Sequence, residues 1–251
     1  MITAYHRPKT LDETLALLAQ EDNVPLGGGT LLSKPTSDPV QAVDLQLLGL
    51  DSLTKSGNNL ELGATLTLQT LLESEKCPEA LKTALKLEAP LNIRNTATVA
   101  GTLMSCDGRS TFASALLAMD AKIIASSQHA SEETINIGDL LPLREQIRGK
   151  LIIKIVVPLN VKLAFEYVAR TPADKPMVCA ALAQWKSGRT RLVLGGYGKS
   201  PMLAMDGTES DDLITAAQNT YHEATDEYAS AEYRMDVAAT LAKRCLEGLP
   251  L

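Results

Sequence analysis

Two glycine-rich segments hold the residues best suited to chemistry in this chain. The first is Pro25-Leu26-Gly27-Gly28-Gly29-Thr30, continuing into Leu31-Leu32. The second is Thr98-Val99-Ala100-Gly101-Thr102, entered through Ile93-Arg94-Asn95-Thr96-Ala97. Each would expose backbone N–H groups with little side-chain bulk around them. Successive N–H groups in such turns form a concave nest for anionic oxygens. Two nests in one domain, each after an apolar stretch, could hold the two phosphates of a dinucleotide from opposite sides.

Other chemistries find little support. A G-x-x-x-x-G-K-[ST] loop is absent, because Lys34 follows Ser33. A G-x-G-x-x-G fingerprint is absent too, because Leu32 stands where its third glycine would be. There is no G-x-S-x-G elbow, and no histidine has a setting for triad catalysis. His6, His129 and His222 are scattered. Cys77, Cys106, Cys179 and Cys245 form no C-x-x-C pair and match no zinc or iron–sulfur spacing. No catalytic residue and no metal ligand is therefore assigned. On composition alone, Gly27–Gly29 reads either as a plain turn or as a ligand loop.

The elements that must position these segments follow from local patterns. Residues 2–6 read as a strand. Thr10 fits a helix N-cap, with Glu13 as its capping-box partner. Residues 24–26 form a brief strand into the first glycine segment, and 41–45 another. Asn58-Asn59 is expected to turn a hairpin between 53–56 and 60–63. Residues 67–73, 79–88 and 111–119 read as helices, with a strand at 121–125. Leu151–Val157 is the most β-like run, and Pro158 ends it. Strands are expected at 161–169, 177–185 and 189–195, with Ser187-Gly188 turning between the last two. Helices at 209–217 and 230–247 close the chain, with Gly248 as a stop. The pattern is mixed α+β in two parts, with a boundary near Pro158.

The bulk composition sets limits. The chain has 251 residues, 45% hydrophobic but only 4% aromatic, so its core must be aliphatic. A net charge of −6 argues against a nucleic-acid partner. Residues 206–236 carry nine acidic residues against one base, Arg234. That run reads as a solvated helical face or as a docking face for a basic partner. The N-terminus lacks a signal-peptide apolar region, and no apolar run is long enough to span a membrane. The expected setting is soluble and cytoplasmic, with reduced thiols.

The order of the motifs adds to this reading. Leu26-Gly27-Gly28-Gly29-Thr30-Leu31-Leu32 resembles the AGGT- or AGGQS-like loop of the FAD-binding medium subunits of molybdenum hydroxylases. This is the family of the carbon monoxide dehydrogenase medium subunit and the xanthine dehydrogenase middle domain. Val43-Asp44-Leu45, followed by Gln46-Leu47, resembles the family's V-D-L strand and leucine turn. Leu62-Gly63-Ala64-Thr65-Leu66-Thr67 resembles its I-G-A-x-x-T segment. Ile93 to Thr102 resembles I-R-N-x-A-T-I-G-G-N, the most specific match. Leu116-Leu117-Ala118-Met119-Asp120-Ala121 resembles L-L-A-L-D-A. Residues 164–174 resemble the A-F-E-K-x-x-R-R-x-x-D strand, and Ala231-Glu232-Tyr233-Arg234 the opening of the last helix. The resemblance covers nearly the whole chain.

It implies an α+β chain: a two-subdomain FAD-binding domain over residues 1–157, then a smaller C-terminal domain over 158–251 with an antiparallel sheet and helices. FAD would be held by backbone N–H groups at 26–31 and 98–102, with glycine keeping Cβ atoms away from the phosphates. The implied cofactor-binding residues are Leu26, Gly27, Gly28, Gly29, Thr30, Leu31, Thr98, Ala100, Gly101, Thr102, Asp107 and Thr111. The partners implied are a molybdenum-cofactor large subunit and a [2Fe-2S] small subunit. Electrons would pass from those clusters through FAD to NAD or a quinone, and substrate oxidation would happen on the molybdenum subunit. A homo-oligomer is compatible with this reading.

Three positions depart from the family pattern. Ala100 replaces a glycine, Thr102 an asparagine, and Thr111 the carboxylate that normally bonds the FAD. Asp107 could substitute for it, or Asp107-Gly108 could be only a turn. Arg109 could face a phosphate or solvent. Glu88 stands where some relatives place an aromatic near the flavin. Trp185 is expected in the core rather than at a flavin contact, and Phe165 or Tyr167 could approach the flavin or pack. A diverged scaffold with weak or lost FAD binding and a stand-alone flavin reductase of the same fold are the alternatives.

Overall fold

The computed structural model describes residues 1–35, 38–128, 130–147, 149–208 and 212–249. In chain order the elements are β1 (Ile2–His6), α1 (Leu11–Leu18), β2 (Asn23–Leu26), β3 (Val40–Asp44), β4 (Leu53–Ser56), β5 (Asn59–Gly63), α2 (Leu68–Glu73), α3 (Glu79–Glu88), α4 (Leu91–Arg94), α5 (Val99–Ser105) and α6 (Thr111–Ala118). Then come β6 (Lys122–Ser127), β7 (Ala130–Asn136), α7 (Ile137–Leu140), β8 (Lys150–Pro158), β9 (Val161–Val168), β10 (Val178–Trp185), β11 (Thr190–Gly195), β12 (Met202–Gly207), α8 (Leu213–Thr220) and α9 (Ala231–Glu247). A 3-10 segment, Leu141–Ile147, joins α7 to β8. The chain is a mixed α+β protein with a C-terminal antiparallel sheet. It divides into two compact units. One comprises Met1–Leu71, Leu91–Ser105 and Lys122–Val156; the other comprises Leu72–Pro90, Cys106–Ala121 and Val157–Leu251.

The first unit opens with a parallel sheet in the order β1-β3-β2. Helix α1 connects β1 to β2. Thr10 caps it, accepting from the Glu13 N–H at 3.3 Å. The Glu13 carboxylate returns to the N–H of Lys9 at 2.9 Å, one residue earlier than the reciprocal bond expected. Leu15 and Leu18 of α1 pack with Val43, Leu45 and Leu151. A second sheet runs β4-β5-β8-β6-β7. The hairpin turn expected at Asn58-Asn59 falls one residue earlier. Ser56 pairs with Asn59, so Gly57-Asn58 makes the turn. Gly57 takes φ +57°, which a two-residue turn requires and glycine adopts without steric cost. Strand β7 and the segment after it carry weak local patterns and escaped the sequence reading.

The second unit centres on the antiparallel sheet β12-β11-β10-β9. Inward residues Val178, Ala180, Leu182, Leu192 and Leu194 meet Leu213 and Ala217 of α8 and Ala238, Leu241 and Cys245 of α9. Helix α6 also packs against β10 and β11. Every residue of α6 is buried, as suits a helix that is apolar on all sides. The start of α8 expected at 209 lies outside the described residues, as does His129. Arg234, the one base of the acidic 206–236 run, is fully buried. It donates to the carbonyls of Ala229 (2.9 Å) and Gly196 (3.3 Å) and to Asp226 (2.8 Å).

Trp185 is not a core residue. It is half-buried at the end of β10, with the Arg189 guanidinium 4.9 Å from its ring centroid. Phe165 is buried, while Tyr167, two residues on, is 40% exposed. Among the described residues no helix is long and apolar enough to cross a membrane.

Candidate functional site

The first glycine segment leaves its sheet at the end of β2. The Leu26 carbonyl takes the Leu45 N–H at 3.1 Å, and no strand pairing follows. The Gly29 carbonyl then closes the turn, accepting from the Ser33 N–H (3.0 Å) and hydroxyl (2.8 Å). Gly29 has φ +73°, in the left-handed region that favours glycine. Among the described residues, the N–H groups of Gly27, Gly28, Gly29, Thr30 and Leu31 donate to no protein acceptor. A run of uncommitted donors with little side-chain cover is what the nest expectation requires.

The reason for glycine differs from the expectation. A Cβ on Gly28 would lie 1.6 Å from the Thr96 carbonyl oxygen, and one on Gly27 would lie 2.9 Å from Thr98 Oγ1. Both glycines therefore answer to close packing of this segment against residues 96–98.

The second segment is not a nest. Val99 to Gly101 begin helix α5. The Thr98 hydroxyl accepts from the Gly101 N–H at 3.1 Å, in the manner of an N-cap. The Val99 N–H goes to the Leu66 carbonyl (2.9 Å), the Ala100 N–H to Ala64 (3.2 Å) and the Thr102 N–H to Thr98 (2.9 Å). These amides are spent on the connection between β5 and α2 and on the helix itself, so they cannot wrap a phosphate as expected.

The two segments nevertheless line one cavity of about 580 Å3 inside the first unit. Leu26, Gly27, Gly28, Gly29, Thr30, Leu31, Thr98, Ala100 and Gly101 all contribute to its wall. Thr102 lies outside that lining, and its hydroxyl donates to the Thr98 carbonyl at 2.8 Å. The sequence reading missed the remaining walls. They come from the end of α1 with Glu21, from Asn23, from Arg144 and Ile147, and from the start of β8. The one available signal was the three-residue spacing of Arg144 and Ile147, which puts both on one face of a 3-10 turn.

Asp107 and Thr111 belong to the second unit and outside the cavity lining. Asp107 accepts from the Arg109 N–H at 2.9 Å, as in an Asx turn. Arg109 faces neither phosphate nor solvent alone. Its Nε donates to the Pro176 carbonyl at 3.2 Å, and its guanidinium stacks 4.2 Å from the Tyr228 ring centroid. The Thr111 hydroxyl donates to the Ala84 carbonyl at 2.7 Å.

Glu88 is buried and supplies a carboxylate to the N-terminus of α6. Its Oε2 accepts from the Phe112 N–H (3.0 Å) and the Ser110 hydroxyl (2.8 Å). Its Oε1 meets Lys175 Nζ at 3.2 Å. Burial alone would lower the Lys175 pKa, but the charges of Glu88 and Asp107 outweigh it and raise it. Among the described residues no group of three or more His, Cys, Asp or Glu is placed to hold a metal ion.

Residues 1–160 match the model of the family described as the FAD binding domain in molybdopterin dehydrogenase. The chain belongs to this family. The family's cofactor is FAD. Relatives match along nearly their whole length. YgfM of Escherichia coli (strain K12) is 28% identical over 250 residues, covering 96% of this chain and 94% of YgfM. The glyceraldehyde dehydrogenase medium chain of Sulfolobus acidocaldarius is 25% identical over 274 residues, covering 97% of each. The fold is also that of a chain in carbon monoxide dehydrogenase from Hydrogenophaga pseudoflava. There the TM-score is 0.83 at 21% identity, covering 98% of this chain and 96% of that one.

Proposed function

We propose that this chain is the FAD-binding electron-transfer subunit of a molybdenum hydroxylase complex. The supporting observation is the row of uncommitted N–H groups from Gly27 to Leu31 along the wall of the 580 Å3 cavity. A cavity of this size suits a small-molecule cofactor, and such donors suit its pyrophosphate. The apolar side chains of Leu26, Leu45 and Ile152 would exclude water from the rest of the ligand. When bound, FAD supplies the redox chemistry, taking electrons from iron–sulfur clusters on a partner subunit and releasing them to an acceptor such as NAD or a quinone.

The residues proposed to hold it are Leu26 to Leu31, Thr98, Ala100 and Gly101. Thr102, Asp107 and Thr111 would act from outside this lining. The proposal includes the division into a FAD-binding domain, 1–157, and a C-terminal domain, 158–251. It also includes a molybdenum-cofactor large subunit and a [2Fe-2S] small subunit as partners, and a cytoplasmic setting. The relatives' names, "medium chain" and "dehydrogenase complex subunit alpha", are consistent with such an assembly.

One observation favours the scaffold reading as the second choice. The amides at 99–102 are already spent within the protein, so the site offers fewer donors than two nests would.

The visible absorption spectrum, taken before and after incubation with excess FAD, tests the proposal. Flavin bands that survive desalting support it. A protein that stays colourless, alone and in its isolated complex, supports the scaffold. Copurification with large and small subunits separates the complex from a stand-alone flavin reductase.

A further inference from the structure

The cavity that holds the uncommitted amides of Gly27 to Leu31 has a second wall of opposite character. Strand β2 ends its sheet, with β3 as its neighbour on one side. Asn23, Val24, Pro25 and Leu26 all line the cavity. Successive side chains of a strand point to opposite faces. Four consecutive lining residues therefore place the open edge of β2 toward the cavity.

The pairing register shows what this edge offers. The Asp22 and Leu26 carbonyls accept from the N–H groups of Gln41 (2.8 Å) and Leu45 (3.1 Å). In a parallel ladder alternate residues bond to a given neighbour, so Asp22, Val24 and Leu26 turn their backbone groups to β3. Asn23 and Pro25 turn theirs away. The Asn23 N–H goes to the Gln20 carbonyl at 3.2 Å, and a proline has no N–H to give. Among the described residues nothing donates to the carbonyl of either. The edge is therefore made of acceptors. The Asn23 side chain adds another. It is 7% exposed, and its Nδ2 donates to the Leu17 carbonyl at 2.8 Å. Its Oδ1 is buried and has no partner among the described residues. A buried acceptor left unpaired is costly, and a donor brought by a ligand relieves that cost. Leu18 and Ala19, at the carbonyl end of α1, and Glu21 border the same wall. The negative end of a helix disfavours phosphate there.

The order along the chain matches the order of groups in a nucleotide, which is base, ribose and diphosphate. Asn23 comes first, Pro25 next, and the donors from Gly27 to Leu31 last. A base seated at Asn23 must supply a hydrogen. Adenine does so through its exocyclic amino group. The pyrimidine edge of a flavin would set two carbonyls, one on each side of its single N–H, against the protein's own.

We propose that the open edge of β2 seats the adenosine half of the cofactor, with Asn23 accepting from the adenine amino group and the Pro25 carbonyl from a ribose hydroxyl. This rests on the reading that the cavity binds FAD. It makes Asn23 the residue that sets the preference for an amino-bearing base.

The test is calorimetry on the purified full chain with three ligands: FAD, ADP and purine riboside 5′-diphosphate. The last is ADP with hydrogen in place of the amino group. The wild type should bind it about 10- to 100-fold more weakly than ADP, because the acceptors of the edge stay unpaired. Asn23→Leu removes Oδ1 and should shrink that ratio by weakening ADP more than its analogue. A variant that only loosened the fold would weaken both ligands alike. Asn23→Asp loses the bond to Leu17 but keeps an acceptor, so it should retain the preference for ADP.

Equal wild-type affinities for ADP and its analogue would overturn the proposal and leave the FAD reading standing. So would a ratio unchanged by Asn23→Leu, or one lost equally in Asn23→Asp. A wild type that binds FAD but not ADP would put the flavin, not the adenosine, on this edge. If the wild type binds none of the three, the FAD reading itself fails and the proposal falls with it.

Discussion

Gly28 sits against the carbonyl of Thr96 so closely that a Cβ would stand 1.6 Å from its oxygen. No side chain can fit there unless the backbone moves. Gly28→Ala should therefore push the first glycine segment away from residues 96–98. Overpacking of this kind costs about 1–3 kcal/mol or more. Gly29→Ala meets only Leu26 Cδ1 at 3.5 Å, but forces alanine to φ +73°, a strain of roughly 1–2 kcal/mol. Thermal midpoints of the ligand-free variants should fall more for Gly28→Ala than for Gly29→Ala. A Gly28→Ala protein as stable as the wild type would mean that the two segments do not pack this way.

Glu88 joins α3 to the N-terminus of α6 through Phe112 N–H and Ser110, and to Lys175. Glu88→Ala would strand these donors and leave the buried amide of Phe112 unpaired. The expected loss is about 2–3 kcal/mol, below the full cost of breaking a buried pair because Lys175 is partly exposed. Glu88→Gln keeps an acceptor for Phe112 and should cost about half as much. Chemical denaturation of the three proteins checks the order. If Glu88→Ala unfolds at the wild-type midpoint, the carboxylate contributes nothing to α6.

Asp226 gives the fold a sensitivity to acid. Burial pushes its carboxyl pKa up, but the Arg234 side chain and the N–H groups of Tyr228 and Ala229 outweigh that and hold it below the ordinary value. A carboxylate depressed in the folded state contributes stability above its unfolded pKa. That contribution is lost as pH falls through the lowered value. Stability should thus decline between about pH 4 and lower pH. Asp226→Asn should be less stable than the wild type near neutrality and lose less on acidification. Parallel slopes of thermal midpoint against pH for the two proteins would remove Asp226 from the account.

Local patterns made some of this structure legible. Thr10 announces α1 because a cap is a contact between residues three apart. The run into β8 shows because a stretch rich in β-branched residues, here Ile152, Ile153, Ile155, Val156 and Val157, needs no distant partner to be recognised. Gly27–Gly29 reads correctly as a segment with free donors. The second segment misleads because Thr98-Val99-Ala100-Gly101 contains a glycine and few large residues. Its helical state depends on the Thr98 cap and on carbonyls of Ala64 and Leu66, more than thirty residues away in sequence. Glu88 was visible as an oddity but not as the partner of Phe112. Arg144 was hidden because Pro142 and a kinked 3-10 turn carry no strong periodicity.

Thr98 links the stability of α5 to the cavity, and two substitutions can separate those roles. Its hydroxyl oxygen accepts from the Gly101 N–H at 3.1 Å, and the residue lines the cavity. Thr98→Val keeps the shape that packs against Gly27 but loses the acceptor. Loss of a cap costs about 1 kcal/mol, and FAD affinity should fall as the first turn of α5 loosens. Thr98→Ser keeps the hydroxyl and loses the methyl, so the cap survives while packing slackens. Thermal midpoints should place serine between threonine and valine. FAD affinity, read by quenching of flavin fluorescence, should stay near wild type for serine and drop for valine. If valine matches threonine in both measurements, the hydroxyl neither caps α5 nor serves the ligand.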